Sequence, residues 1–338
     1  MNLSKKDCVF VTGGAGFIGS AVIRELIDST DATVVNIDCL TYASNLEALR
    51  SVEGLERYHF SHTNICDRES LQVLFQEYNP TALIHLAAES HVDRSIDNPD
   101  AFIDTNIMGT FHLLEVVRDY LQKFRMFRFH HVSTDEVYGS LGMEGSFSES
   151  SPYQPRSPYA ASKAASDHLV RAWFETYGIP ASISNCCNNY GPFQYNQDRL
   201  IPLVIGRALQ EESIPVYGTG ANVRDWLHVK DHARALILIL QKGISGATYN
   251  IGGELELTNL EVVQRICQNL DRIQPRVQGK PYSELISFVE DRPGHDFRYA
   301  IDSSLIRSEL GWIPQESFEK ELVDLIYDNM ETLRKNDS

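Results

Sequence analysis

The sequence predicts an α/β protein: a doubly wound parallel sheet with helices on both faces, and a smaller C-terminal lobe. Three observations carry that reading. Short β-rich runs alternate with helical patterns up to about residue 185, a glycine-rich turn follows the first run, and the texture changes after about residue 190. Strands separated by helix-length segments pair in parallel, because each crossover helix packs back onto the sheet.

The strand runs, in order, are "CVFVTG", "TVVNID", "YHFSHTN", "ALIHLA", "RFHHVS" and "SISNCC". Most are short and rich in β-branched or apolar residues, as strands covered on both faces must be. Helical patterns lie between them near 17–29, 69–79, 100–122 and 159–177. From about residue 190, Pro192, Pro202, Pro215, Gly218 and Gly220 punctuate shorter elements, followed by helical stretches near 230–241, 259–270 and 318–334. Residues 1–188 are therefore expected to form the first domain and 189–338 mainly a second lobe, interleaved with the first and set over the carboxyl ends of its strands.

A chain of 338 residues, 43% hydrophobic, buries a large core in one domain or two closely joined ones. No 18-residue apolar run is present, and "MNLSKKDCVF" enters its first strand too soon to hold a secretory segment, so a soluble cytoplasmic protein is expected. The net charge of −16 repels polyanions, which disfavours nucleic acid and acidic membranes as partners. The six cysteines show no C-x-x-C pair and mostly sit in apolar runs, where cysteine acts as a small hydrophobe. No metal site is predicted. His130 and His131 are adjacent on a strand, point to opposite faces, and have no third ligand at a suitable spacing.

The glycine turn reads "VFVTGGAGFIGS", with Gly13, Gly16 and Gly19 between the first strand and its helix. Glycines let the backbone turn tightly and approach a pyrophosphate, which then rests on the positive end of the helix. An acid follows at Asp38, at the end of the second strand, where it suits ribose hydroxyls and repels a 2′-phosphate. Its neighbour Cys39 is not basic. This is a Rossmann dinucleotide site that selects NAD over NADP.

"SPYAASK" sets Tyr159 and Lys163 one helical turn apart on one face. Lys163 and a nicotinamide cation together would lower the Tyr159 pKa, so that the phenolate takes a hydroxyl proton while hydride leaves. With the glycine turn, this is the pattern of an extended short-chain dehydrogenase/reductase. Thr134 ends the fifth strand, where such enzymes hydrogen-bond the reacting hydroxyl. Asp135 and Glu136 follow it directly. A solvated turn would explain two adjacent acids, but the carboxyl end of a sheet strand is where α/β folds hold ligands.

The chain resembles the family of thymidine diphosphate-glucose (dTDP-glucose) 4,6-dehydratases almost end to end. The resemblance runs through "HLAAESHVDRSI", "FIDTNIMGT", "RFHHVSTDEVYG", "SPYAASKAASDHLVRAW", "NNYGP", "RLIPL", "VRDWLHVKDHARAL", "YNIGG" and "DRPGHDFRYAID". It implies that Tyr159 takes the proton in oxidation at glucose C4, Glu136 removes the C5 proton and Asp135 protonates the departing C6 hydroxyl. Chemistry supports the division of labour. A C5 proton is acidic only beside a C4 ketone, and hydroxide leaves poorly unless protonated. Adjacent carboxyls in a desolvated pocket have their pKa values pushed apart, which suits one base and one acid.

The resemblance also implies contacts. Gly13, Gly16, Phe17, Ile18, Gly19, Asp38, Cys39, Leu40, Thr41, Asn64, Ile65, Leu86, Ala87, Ala88, Glu89, Thr105, Tyr159, Lys163 and Asn189 match positions that bind NAD. Ser90, Thr134, Asn188, Arg199, Leu200, Pro215, Val216, Tyr217, Arg224, Asn259, Asp291, Arg292 and His295 match positions that bind the nucleotide sugar, with Arg224 and Arg292 as diphosphate clamps. Three residues depart from the family pattern: Asn64 for Asp, Arg199 for Lys, and His228 for Tyr. They leave the nucleotide preference open. A homodimer is implied, through the helices near 100–122 and 159–177. The competing readings are a dehydratase of UDP-glucose, a nucleotide-sugar 4-epimerase, and a nucleotide-sugar-binding protein without turnover.

Overall fold

Seven short runs pair in one parallel sheet whose strand order turns back at its centre. The structure is a computed structural model. It describes every residue except Arg125, Asn196, Gln278, Arg292, Pro293, Asp337 and Ser338, and the backbone alone over 333–336. The strands are β1 (Cys8–Thr12), β2 (Thr33–Asp38), β3 (Tyr58–His62), β4 (Ala82–His85), β5 (Arg128–Thr134), β6 (Ala181–Cys186), β7 (Asn188–Tyr190), β8 (Ile214–Tyr217), β9 (Val223–His228), β10 (Thr248–Ile251), β11 (Glu256–Thr258) and β12 (Ile286–Val289). The large sheet runs β10-β6-β5-β4-β1-β2-β3, with every pairing parallel. Its direction of growth reverses between β1 and β4, which opens a crevice at their carboxyl ends.

Eleven helices are labelled in chain order: α1 (Phe17–Ser29), α2 (Arg68–Tyr78), α3 (Val92–Asp97), α4 (Asp100–Phe102), α5 (Thr110–Leu121), α6 (Pro158–Tyr177), α7 (Leu200–Leu209), α8 (Val229–Lys242), α9 (Asn259–Ile273), α10 (Ser304–Leu310) and α11 (Phe318–Asn336). One face of the sheet is sealed by α1 and α8, through Val22, Ile23, Leu26, Leu236, Ile239 and Leu240. The other is sealed by α2, α5 and α6, through Leu71, Phe75, Leu113, Leu114, Val117 and Val170. These side chains recur at helical spacing, so each helix turns one apolar stripe inward. Residues 229–251, which by number belong to the second half, thus complete the first layer with α8 and β10.

The remaining chain builds a three-stranded sheet, β11-β9-β7, and a two-stranded one, β12-β8. Its own core joins Val204, Ile205, Ile266, Leu270, Leu322 and Ile326 from α7, α9 and α11. The helix expected over 100–122 is not uniform. Between α4 and α5 the chain winds as a π-helix over Ile103–Gly109. Such wide turns mark places where a side chain is needed off the regular ladder. Here Asn106, only 1% exposed, accepts from the Glu89 amide at 2.8 Å and donates to the Glu89 carbonyl at 2.9 Å and to Ser162 Oγ at 2.8 Å.

Candidate active site

One cleft of about 1070 Å³ runs over the carboxyl ends of the strands and under the second lobe. It is as large as ligand clefts commonly become and has room for a dinucleotide and a second nucleotide. At one end lies the glycine turn. Gly13 has φ +70°, and a Cβ there would stand 2.7 Å from the Ala87 backbone; a Cβ on Gly19 would stand 2.1 Å from the Gly13 carbonyl. Only glycine fits either place. Asp38 closes the turn: one carboxylate oxygen accepts from the Ala15 amide at 2.9 Å, the other from the Leu40 amide at 2.8 Å and Ser44 Oγ at 3.1 Å. The side-chain-free turn at the start of α1 and the fixed acid fit a dinucleotide pyrophosphate and its adenosine ribose.

At the other end, β5 delivers the chemistry. The strand is buried from Phe129 to Thr134 and stops where Thr134 caps a 3₁₀ turn, Asp135–Tyr138, by accepting from the Glu136 amide at 3.3 Å. Tyr138 anchors that turn in the core, donating to Asn250 and accepting from Asn185. Opposite it, α6 begins at the cap Ser157, which accepts from the Ala160 amide, with Pro158 as its first residue. That start places Tyr159 in the first turn and Lys163 in the second, both buried and both in the cleft wall. Lys163 Nζ donates to the Val132 carbonyl at 2.9 Å.

Burial and charge single out Asp135. Asp135 is 2% exposed; Thr134 Oγ1 donates to its Oδ1 at 3.3 Å, and its Oδ2 has no hydrogen-bond partner among the described residues. Burial first, then the charges of Glu136 and Asp225, hold its carboxyl well above the ordinary aspartate value. A carboxyl kept neutral is a proton donor. Glu136, partly exposed, faces the same cavity. Burial lowers Lys163 to about 8, against the opposing pull of Asp167. The expected lowering of Tyr159 is not present in the chain alone: burial, then Glu136 and Cys186, hold its phenol up, while Arg199 and the Thr134 hydroxyl pull the other way. Burial and the nearby acids outweigh Arg199 at this phenol, and a bound nicotinamide cation would add to the pull that favours its ionisation.

Comparison with known proteins decides the family. The GDP-mannose 4,6 dehydratase family model matches residues 10–325. A dTDP-glucose 4,6-dehydratase of Neisseria gonorrhoeae is 54% identical, with 99% of this chain and 100% of that protein aligned. One of Salmonella typhimurium is 55% identical over 92% of this chain and 89% of its own length. The chain belongs to the dTDP-glucose 4,6-dehydratase family. Among solved structures, a dTDP-glucose 4,6-dehydratase from Streptomyces venezuelae with NAD bound matches at TM-score 0.88 and 43% identity, over 96% of this chain and 97% of that one. A UDP-glucose 4-epimerase of Thermotoga maritima with UDP-glucose matches at TM-score 0.85 and 27% identity, over 96% and 99%.

Most residues anticipated for a 4,6-dehydratase of this family meet in the one cleft: the glycine turn, Asp38, Cys39, Thr41, Asn64, Ile65, Leu86 to Ser90, Thr105, the Thr134–Glu136 triplet, Tyr159, Lys163, Asn188, Asn189, Arg199, Leu200, Pro215 to Tyr217, Arg224 and Asn259. Arg224, 5% exposed, spreads over the Tyr299 ring at 4.4 Å and donates to the Val223 and Asp296 carbonyls. Arg199 reaches across from the second lobe to the Ser90 carbonyl and hydroxyl.

Among the described residues, four positions read from the family pattern do not line the cleft: Leu40, Asp291, His295 and His228. Leu40 is not in the cleft wall; at φ +54° it is the bend that returns its amide to Asp38. Asp291 and His295 pair with each other at 2.6 Å outside that wall, beside Tyr217. Arg292 lies outside the described residues. His228, read from the family pattern as a nucleotide-side departure, is buried against the Tyr190 ring, 3.5 Å from Glu321 of α11, and does not line the cleft. Sequence reading also passed over residues that act at the site: Asn106 and Ser162, which tie the Glu89 loop to the turn of Tyr159, and Tyr299 in the cleft wall. Tyr299 sits in the quoted "DRPGHDFRYAID" stretch, and its aromatic ring beside an arginine was the available signal.

Proposed function

We propose that this enzyme is an NAD-dependent dTDP-glucose 4,6-dehydratase that yields dTDP-4-keto-6-deoxyglucose. The observation that carries the reading is the buried, charge-repelled Asp135, next to Glu136 and opposite Tyr159. A 4-epimerase oxidises and reduces at one carbon and has no use for a neutral acid beside a base. NAD, when bound, accepts hydride from C4 and returns it to C6, so the reaction is redox-neutral overall.

The chain's own groups supply the proton chemistry. Tyr159, with Lys163 behind it and Thr134 holding the hydroxyl, takes the C4 hydroxyl proton. Glu136 then removes the C5 proton, which the C4 ketone has made acidic, Asp135 protonates the C6 hydroxyl so that it leaves as water, and protonated Glu136 gives a proton back to C5 as hydride reaches C6. Arg199 and Arg224, with Arg292, hold the diphosphate from the second lobe. Residues 1–188 act as the cofactor domain and 189–338 mainly as the sugar-nucleotide lobe. We place the enzyme in the cytoplasm as a homodimer, serving deoxysugar synthesis such as that of rhamnose. Ile103, Met108 and Tyr177, on the chain of α4 to α6, remain exposed and are available to a second copy. No helix among the described residues is long and apolar enough to cross a membrane. The test is product analysis by NMR after incubation with dTDP-glucose: a 4-keto-6-deoxy sugar supports the proposal, and an inverted hydroxyl or unchanged sugar refutes it.

A further inference from the structure

Behind the cleft wall, a group of polar side chains is sealed between α6 and the large sheet. At its centre is Asp167, 0% exposed, one helical turn beyond Lys163. The two side chains clamp onto adjacent residues of β5: Lys163 Nζ on the Val132 carbonyl at 2.9 Å, and Asp167 Oδ2 on the Ser133 hydroxyl at 2.9 Å. Tyr153 donates to the same oxygen at 2.9 Å, and His131 Nε2 stands 3.2 Å from Oδ1. Tyr153 in turn accepts from Arg171 at 2.8 Å. Burial pushes the Asp167 carboxyl up, and against it work first the Lys163 ammonium and then the Ser133 and Tyr153 hydroxyls and the Arg171 guanidinium, all of which favour the ionised form. An anion in a dry interior must serve something nearby, because leaving it uncompensated is costly.

We infer that Asp167 is a positioning residue for the oxidation step: its carboxylate, fixed on β5 one helical turn from Lys163, keeps that ammonium charged so that Lys163 can support the Tyr159 phenolate. The inference rests on the dehydratase reading for its kinetic test, but its physical basis is the geometry of the sealed layer. Burial works against the lysine, which stands lowered to about 8 even with the groups that work in its favour, first Asp167 and then Cys186 of β6. The other titratable groups facing this layer are His131 of β5 and His85 of β4, both held neutral by burial, with Tyr159 on α6 itself. Arg171, the remaining cation near Asp167, spends its contacts on Tyr153 and Thr248. Asp167 is therefore the strongest anionic influence on Lys163.

The sign follows. A lysine that must be charged loses its function as pH rises through its pKa. Removing the Asp167 charge lowers that pKa further, so the alkaline limb of the rate profile moves to lower pH. A bound nicotinamide cation lowers Lys163 in native enzyme and variant alike, and leaves the difference in place.

The experiment compares kcat/KM for ketosugar formation from dTDP-glucose across pH in NAD-saturated native enzyme, Asp167→Asn, Asp167→Glu and Tyr153→Phe. Asp167→Asn is expected to move the alkaline limb down by about one pH unit or more, so that it loses about tenfold or more near pH 8.5 but only a few-fold near pH 6. Asp167→Glu, which keeps the charge but moves it by a methylene, shifts the limb less in the same direction. Tyr153→Phe keeps the carboxylate and leaves the limb in place, whatever it does to stability. A uniform loss at all pH values in Asp167→Asn, with the limb unmoved, would show a structural role and overturn the inference. If Asp167→Asn does not fold, an unmoved limb in Asp167→Glu overturns it equally. NMR titration of selectively labelled Lys163 reads the same shift without substrate. A native enzyme inactive on dTDP-glucose would thus count against the dehydratase reading, and an unshifted lysine against this one.

Discussion

Asp135→Asn separates catalysis from stability at one atom. Asparagine has the shape of a protonated aspartate: its carbonyl oxygen takes the place of Oδ1, which accepts from Thr134, and its amide fills the place of Oδ2, which has no hydrogen-bond partner among the described residues. It cannot donate a proton to the C6 hydroxyl. A positioned general acid is worth about 10²- to 10⁴-fold, so elimination should slow by that factor, or about 2.7 to 5.4 kcal/mol of barrier. Oxidation at C4 does not need Asp135, and reduced cofactor should therefore accumulate in the first turnover. Stability should move the other way. The folded-state pKa of Asp135 lies well above that of an unfolded aspartate, about 3.9, so the wild type is most stable below that value and loses stability as pH rises toward the folded pKa. Each pH unit crossed in that window costs about 1.36 kcal/mol, and a residue that never ionises avoids the loss. The variant should unfold at a higher temperature than the wild type at neutral pH, with the gap closing near pH 4. Calorimetry at the two pH values and stopped-flow absorbance at neutral pH measure both halves. An unchanged elimination rate, or a variant less stable by the same margin at both pH values, would refute the neutral-acid assignment.

Three other substitutions probe separate parts of the molecule. Tyr159→Phe should abolish the absorbance of reduced cofactor in single-turnover mixing, while the binding of dTDP-glucose, read by calorimetry, stays within a few-fold of native; rapid cofactor reduction would remove Tyr159 from the oxidation step. Gly13→Ala forces a Cβ to 2.7 Å from the Ala87 backbone at positive φ, and strain of this kind costs about 1 to 3 kcal/mol, so NAD affinity and the melting temperature should both fall. Native affinity in that variant would mean the glycine turn does not approach the cofactor. His228→Tyr should leave the ratio of kcat/KM for dTDP-glucose and UDP-glucose within about twofold, far below the 10- to 200-fold worth of a direct pocket contact, because His228 faces α11. A large change in that ratio would place His228 in nucleotide selection after all.

What the sequence made legible were the patterns local in the chain. The glycine turn, the acid at the end of β2 and the Tyr159–Lys163 pair each have fixed spacing, and each spacing maps to one face of one element. The triplet after β5 was legible because a strand that ends in Thr-Asp-Glu at the ligand edge of the sheet is hard to explain as a turn alone. The interior polar layer was not legible. Asp167, His131, His85 and Tyr153 come from three strands or helices and a loop far apart in sequence, and nothing in their spacing says that they meet. The π-helical segment was hidden too, because its apolar positions continue a helical period while Asn106 is drawn aside by partners at Glu89 and Ser162. His228 shows the converse error: a departure from a family pattern marks where a residue differs, whereas only packing shows what it touches.

The central claim, that hydride leaves C4 and returns to C6 within one site between the action of Tyr159 and that of the Asp135–Glu136 pair, is tested most directly by isotope tracing. dTDP-glucose deuterated at C4 is converted in the presence of excess unlabelled NADH, and the product is read by NMR and mass spectrometry. The account predicts one deuterium in the C6 methyl group of a 4-keto sugar, with no dilution by the added cofactor and no net change in NADH. Deuterium lost to the cofactor pool, or found again at C4 of an inverted sugar, would contradict it.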